Sequence, residues 1–445
     1  MEQKNSFLKT VLNIAVPVTL QSLLQSSFSV IDQVMTGQLG SVRIAGIGLG
    51  GKFSSIYSVL ISAVAAAAGI LIAQYMGKED RREVSRSFWM NLSLAVLLAV
   101  LFTGMCGVFP EKIMGMYTED EATRQAAAQY LRIVAVSYLP MAVGTLFSTL
   151  LRCMEAARLP LYASVFAAGV NTGLNYVLIF GKFGVPALGI VGAAWATAVS
   201  QIIGCVLIVA MFLQYCRTRN QKLEAVFWMD QAGRRQYAKI LLPILVCEFF
   251  WSLGENVYAM IYGHIGTREC AAMTLTGPVQ VLMIGALTGL SQAAGVLTGK
   301  TLGRKEYDRA YEESKKLMVY GGIGAVILSV GLFFAAGYYV RIYQVEEMVR
   351  VTAVEILYVF AVVSPVKVLN MILGGGILRS GGRTDYVMWI DLIGTWVFGV
   401  PLGLLAAFVW KLPIAQVYFM LSLEEGVRLG ISLIVFRKRN WMKSL

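Results

Sequence analysis

The sequence predicts an all-α integral membrane protein: twelve transmembrane helices in two homologous six-helix lobes, related by a pseudo-two-fold axis along the membrane normal. Two observations carry this expectation. First, 57% of the 445 residues are hydrophobic and only 14% are charged, against roughly 25% charged in a soluble domain. Second, the chain repeats itself. Pro17 and Pro243, Gly37 and Gly263, Gly40 and Gly266, and Ala45 and Ala271 share one register. Leu49/Leu275, Gly51/Gly277, Gly69/Gly295 and Gly77/Gly303 continue it without a gap. Glycine supplies only 44 of the 445 residues, so these glycine pairs do not follow from composition. A repeat of this length in an apolar chain means two homologous halves, and in transporters substrate sits between such halves.

The elements follow in order. Apolar runs at 11–36, 44–75, 88–110, 129–151, 161–181 and 188–215 form the first six spans. Runs at 239–263, 271–297, 317–341, 353–378, 386–409 and 413–436 form the second six. Each is long enough to cross a hydrocarbon core of about 30 Å as a helix. The second run is long enough to tilt or to extend beyond the bilayer. The repeat persists beyond the first two helices. LRCMEAARLP (151–160) corresponds to LRSGGRTDY (378–386), pairing Arg152 with Arg379, and Pro140 and Pro365 precede them. Pro186 and Pro413 open the sixth helix of each half. Six helices per half is an even number, so both halves enter the membrane in the same sense. The expected lobes are 1–215 and 239–445, joined by a basic linker at 216–238 whose Phe227 and Trp228 are placed at the membrane interface.

The net charge of +12 raises nucleic acid as a partner, but its distribution excludes that reading. With a cytoplasmic start, the termini and the loops after helices 2, 4, 6, 8 and 10 lie inside. These hold Lys78, Arg81, Arg82, Arg217, Arg219, Arg234, Arg235, Arg304 and Lys305, whereas the opposite loops carry isolated charges such as Arg43, Lys182 and Arg268. This is the positive-inside bias, and it implies a multi-pass membrane protein with both termini cytoplasmic. The six cysteines form no metal-spaced group and read as small apolar residues. No Walker sequence points to ATP, no histidine cluster to a metal and no nucleophile elbow to an enzyme. No cofactor is expected. The partners are small organic molecules and the lipid bilayer, and the expected state is a monomer.

Helix 1 carries Ser22, Gln25, Ser29, Asp32 and Thr36 at spacings that share one helical face. The repeat-related face of helix 7 carries Glu248, Trp251, Glu255, Tyr258 and Tyr262. An ionised carboxylate at depth costs about 2.5–3.5 kcal/mol or more on insertion scales. Such groups face a bundle interior or a wet cavity. Glu248, Trp251, Glu255 and Tyr258 alternate carboxylates with aromatic rings, which suits lipophilic cations through charge and cation–π attraction. Structural hydrogen bonding between helices is the competing role. Asn171 and Asn175 sit one turn apart on helix 5, and Thr197 lies on helix 6. Counting helical rise, Asp32, Asn175 and Thr197 share a depth in the outer half of the bilayer, so one site can hold them all. Lys367 on helix 10 is expected to pair with Glu248 or Glu255. Asp391 opens a D-x3-T-W pattern matching the N-x3-N-Y of helix 5. Glu424, Glu425 and Arg428 read as pairing within helix 12, and His264 as an interfacial hydrogen bond.

VIDQVMTGQLG (30–40), AGILIAQYMGKED (68–80), LNYVLIFGKFGVPALGIVGAAWAT (174–197) and LRSGGRT (378–384) together resemble the multidrug and toxic compound extrusion (MATE) family, along essentially the whole chain. The resemblance implies two six-helix lobes around a cavity and export of organic, often cationic, compounds in exchange for sodium or protons. The DinF-like branch looks nearest. The resemblance to that branch implies an N-lobe cation site at Asp32, Asn171, Asn175 and Thr197, with Gln25 and Ser29 beside it in a substrate cavity. Asn175 departs from the branch, which has an aspartate there. Other branches carry a glutamate where this chain has Trp251, and an aspartate in the region of Lys367 and Asn370. A site with one carboxylate favours a proton as coupling ion, with sodium at Asp32 kept open. The alternatives are a flippase or exporter of lipid-linked saccharide from the same superfamily, and a membrane enzyme or scaffold that transports nothing.

Overall fold

The computed structural model describes residues 2–220, 223–224, 226, 231–343 and 345–445. Phe227 and Trp228 of the linker lie outside the described residues. Among the described residues the long helical runs number twelve. They are α1 (Glu2–Thr36), α2 (Ser41–Gly77), α3 (Arg81–Val108), α4 (Glu121–Cys153), α5 (Arg158–Phe180), α6 (Ile190–Thr218), α7 (Gln231–Ile265), α8 (Thr267–Gly303), α9 (Tyr307–Val340), α10 (Glu347–Leu378), α11 (Thr384–Val409) and α12 (Ile414–Lys438). Eleven are long and apolar enough to cross a membrane by themselves. α12 is equally long but carries Glu424, Glu425 and Arg428, whose burial is explained below.

Local chemistry sets several boundaries. The Asp80 carboxylate accepts from the Glu83 amide and caps α3, and Asp120 accepts from the Thr123 amide and caps α4. Gly181 closes α5 in the left-handed conformation, at φ 68°. α4 begins eight residues earlier than the apolar run at 129–151 suggested. Its first turns, EATRQAAA, are polar on one face and alanine-rich on the other, a pattern that a count of apolar residues passes over. A 3-10 turn at Ala135–Ser137 precedes Pro140, which has no N–H to continue an α-helical ladder. π-helical turns at Met371–Leu378, Ile393–Gly399 and Leu405–Val409 widen α10 and α11.

Packing divides the chain into two compact units. The C-unit comprises Met1–Thr19, Ala73–Glu79 and Ala232–Leu445; the N-unit comprises Leu20–Ile72 and Asp80–Gln231. In the N-unit α5 packs along α6, and α4 packs on α3 and α6. Tyr57 stacks on Tyr138 at 4.4 Å between ring centroids and donates to its carbonyl at 2.6 Å. In the C-unit α10 packs against α8, α9 and α12, and α11 against α12. Ile356, Phe360, Val417 and Leu421 are central to that core.

The repeat glycines Gly77 and Gly303 meet inside the C-unit in a reciprocal contact. A Cβ on Gly77 would strike the backbone of Lys300, and one on Gly303 would strike the backbone of Gln74. Gln74 and Lys300 are themselves in the repeat register. Small residues let helix backbones touch in membranes, where lipid gives no hydrophobic drive for association. Gly303→Leu is expected to cost about 1–3 kcal/mol by overpacking, read as a lower melting temperature of the purified protein in detergent. An unchanged melting temperature would contradict this contact.

Candidate functional site

The N-unit gathers the polar residues of α1, α5 and α6. Asn175 donates from Nδ2 to Asp32 Oδ1 at 2.8 Å and to Asn171 Oδ1 at 3.2 Å. Asn171 also lies 3.3 Å from the Ser200 hydroxyl. Rotating the Asn171 amide by 180° brings its nitrogen to 2.9 and 3.0 Å from the two Asp32 oxygens. That orientation turns a donor rather than an acceptor toward the carboxylate and satisfies both groups. Thr197 donates to the Ala193 carbonyl at 3.1 Å, leaving its oxygen free to accept. Asn175 is 2% exposed, and its Oδ1 is a buried acceptor with no protein donor.

Beside this cluster the N-unit encloses a cavity of about 580 Å³. Gln21, Gln25, Ser29 and Asp32 of α1 form one wall; Ser148 and Arg152 of α4, Asn171 of α5 and Thr197 of α6 form others. The helix 1 stripe therefore faces a polar space, and the structure brings Gln25, Ser29, Asp32, Asn171, Asn175 and Thr197 together. Two contributors were not visible in the sequence. Tyr130 of α4 hydrogen-bonds Thr197 within the field of Asp32, and its ring sits where a Cβ on Gly50 would otherwise be. Tyr130 lies inside the apolar run at 129–151, but nothing in the sequence joined it to Asp32. Arg152 donates to Gln21 Oε1 at 3.0 Å; only its pairing with Arg379 in the repeat marked it out.

Glu248, Asp391, Glu424 and Glu425 of the C-unit are engaged in a largely buried charge network. Arg379 pairs with Glu248 at 3.3 Å and reaches Cys247 Sγ, which donates to Asp391 at 2.9 Å. Arg428 pairs with Glu424 at 3.4 Å and with Asp391 at 3.8 Å, and it donates to Thr395. Tyr258 donates to Glu424. The expectation that Lys367 pairs with Glu248 or Glu255 is corrected: Lys367 pairs with Glu425 at 3.4 Å, and Asn370 donates to the same carboxylate at 2.8 Å. Glu248 is held by Arg379 instead, and Glu425 projects from α12 toward α10. The self-contained pairing expected within helix 12 holds only for Arg428 with Glu424. Glu255 and Trp251 are exposed, and among the described residues Glu255 has no ion pair within 4 Å, although Lys367 and Arg428 lie within its field. His264 Nδ1 hydrogen-bonds the Met260 carbonyl at 2.8 Å.

Placed in the repeat register, the two clusters occupy equivalent positions. Asp32 corresponds to Tyr258 and Thr197 to Glu424. Asn171 and Asn175 match Asp391 and Thr395 by their shared x3 spacing, at an offset of 220 that leaves the second half seven residues shorter here. In the N-unit these positions hold one carboxylate and uncharged oxygens. In the C-unit they hold two carboxylates, and the Arg428 guanidinium bonds both, as a cation tethered to the chain.

A family model described as MatE matches residues 17–177 and 243–405. The chain is 24% identical to the probable multidrug resistance protein NorM of Bacillus anthracis, covering 98% of this chain and 97% of that one. It is 21% identical to the uncharacterized transporter YisQ of Bacillus subtilis, covering 96% of this chain and 93% of that one. Its fold superposes on a crystal structure of a variant of the Vibrio cholerae MATE transporter VcmN with a TM-score of 0.89, 15% identity and 98% of each chain covered.

Proposed function

The chain belongs to the MATE family of ion-coupled multidrug transporters, and on that footing we propose that it is a proton-coupled antiporter whose coupling group is Asp32. It is a multi-pass membrane protein of a family of transporters rather than enzymes. Within the family we place it nearest the DinF-like branch, on the strength of the cluster of Asp32, Asn171, Asn175 and Thr197. Its lobes are 1–215 and 239–445, both termini are cytoplasmic, and it exports organic compounds, chiefly cationic ones, as a monomer.

The observation that carries the reading is the hydrogen bonding around Asp32, the one carboxylate lining the cavity among the described residues. As an acceptor it takes the Asn175 amide and, in its satisfied orientation, the Asn171 amide. A protonated carboxyl offers a donor in place of one acceptor. Its O–H then faces amide N–H groups, donor against donor, so α1 and α5 repack or the amides rotate. Proton binding thereby distinguishes two arrangements of the N-lobe, and a ligand shifts an equilibrium only through such a difference in affinity. In this scheme the exposed Glu255 attracts cationic substrate from the C-lobe side.

A second reading is favoured by one observation. Asn175 Oδ1 is buried and has no protein donor, and an amide oxygen beside a carboxylate suits a sodium ion. The test is to add substrate outside sodium-free proteoliposomes and follow luminal pH. Proton antiport predicts luminal alkalinisation. Substrate entry that leaves luminal pH unchanged and requires sodium would overturn the proton reading. Asn175→Asp adds a second carboxylate and is expected to raise sodium affinity; no change would place Asn175 outside the cation site.

A further inference from the structure

We infer that the Arg152 end of the N-unit cavity binds an anionic group, a carboxylate or a phosphate, carried by the transported molecule. The assignment rests on the export reading above only for the identity of the ligand as cargo; the binding chemistry stands on the site itself.

Arg152 lines the cavity and gives one hydrogen bond, to the neutral Gln21 side chain. Among the described residues no carboxylate lies within ion-pair distance of it. Its Nε is buried without an acceptor. A guanidinium carries five N–H donors in a rigid planar fork, so most of its bonding capacity is not used by the protein. A buried charge without a counter-charge is costly, and natural cores pair such groups.

The repeat provides an internal control. Arg379 occupies the position corresponding to Arg152; Cys247 corresponds to Gln21 and Glu248 to its neighbour Ser22. Both arginines reach the same place on the lead helix of their half: Arg152 bonds Gln21, and Arg379 bonds Glu248 at 3.3 Å. The contact is retained in both units, but its charge is balanced only in the C-unit, where Asp391 adds to the field around Arg379. In the N-unit the position of that carboxylate holds Ser22, the arginine's partner is the neutral Gln21 amide, and a cavity opens at that point. The fork geometry of a guanidinium matches a carboxylate or phosphate bidentately. A compensating anion there comes from outside the chain.

Asp32 lines the same cavity, eleven residues along α1 from Gln21, or about 16 Å at helical rise. The cavity therefore has a positive end and a negative end. A molecule with an acidic group at one end and an amine at the other suits both, and its amine approaches the carboxylate that takes the coupling ion.

The experiment is equilibrium binding to the purified full-length protein in neutral detergent, with no gradient. The probes are 4-(dimethylaminomethyl)benzoate and its methyl ester, which differ in the anionic group. The wild type is expected to bind the acid about tenfold more tightly, the scale of a charge-assisted hydrogen bond. Arg152→Gln is expected to remove the preference. So is Gln21→Glu, which places a carboxylate beside Arg152, as Glu248 lies beside Arg379, and serves where loss of the arginine prevents folding. Equal binding of acid and ester by the wild type, or a preference surviving in both variants, would overturn the inference. A third arm adds phosphatidylglycerol or phosphatidylcholine. An Arg152-dependent preference for phosphatidylglycerol, with no preference between acid and ester, would put a lipid phosphate at the site and overturn its assignment to cargo. Loss of gradient-driven export with the acid preference intact would count against the antiport reading alone.

Discussion

Asp32→Asn is expected to leave the protein folded and inserted, and to abolish gradient-driven export. The substitution replaces one carboxylate oxygen with an amide nitrogen of nearly the same size, so packing around α1 and α5 is kept. It removes the one titratable group of the cluster that lines the N-unit cavity. It also turns N–H groups toward Asn171 and Asn175, whose amides now donate to that carboxylate. No cation is then bound differently by two states of the lobe, and no gradient energy enters the cycle. Cells expressing the variant should be as sensitive to toxic cations as cells without the transporter, while membrane abundance stays at the wild-type level. Wild-type resistance in the variant would remove Asp32 from the coupling step.

The largest expected effect on stability comes from Arg428→Met. Arg428 is 7% exposed and pairs with Glu424, 5% exposed, and with Asp391. Methionine fills most of the volume but leaves two carboxylates facing each other without a counter-ion. Breaking a buried pair from one side costs about 3–5 kcal/mol. The purified variant should melt at a markedly lower temperature, and adding Glu424→Gln should recover part of the loss, because Tyr258 can still bond the amide. A variant that melts with the wild type would show that the guanidinium does not neutralise these carboxylates. The same substitution bears on the comparison of the two units. If Arg428 is a tethered cation at the position where the N-unit has its single-carboxylate cluster, the C-unit is charge-balanced without any ion from solution.

Much of this was legible in the sequence. The repeat register and apolar runs place the long helices, since periodic and apolar patterns in lipid leave the backbone little choice but to form helices. The 3-4 spacing on helix 1 places Gln25, Ser29 and Asp32 on one cavity wall, and common depth joins Asp32 to Asn175 and Thr197. The pairing of charges was not legible. Whether Lys367 meets Glu248, Glu255 or Glu425 depends on how α10 and α12 pack and on their rotation about their own axes, and spacing along one helix carries no information about that. Glu425 wins because Arg379 already holds Glu248. Tyr130 was hidden for the same reason: it lies within the apolar run of helix 4, and only the packing of α4 against α6 brings it to Thr197. The imbalance at Arg152 required both units, because only the comparison with Arg379 shows one arginine meeting a neutral amide where its counterpart also meets a carboxylate.

The central claim is that a cation gradient acting through Asp32 drives transport. Its most direct test is the accumulation of ethidium in proteoliposomes under an imposed proton or sodium gradient. The wild type should concentrate ethidium above its external level, and lose that excess when an ionophore collapses the gradient, and Asp32→Asn should never exceed equilibration. Uphill accumulation by Asp32→Asn, or wild-type transport that is the same with and without a gradient, would contradict the account.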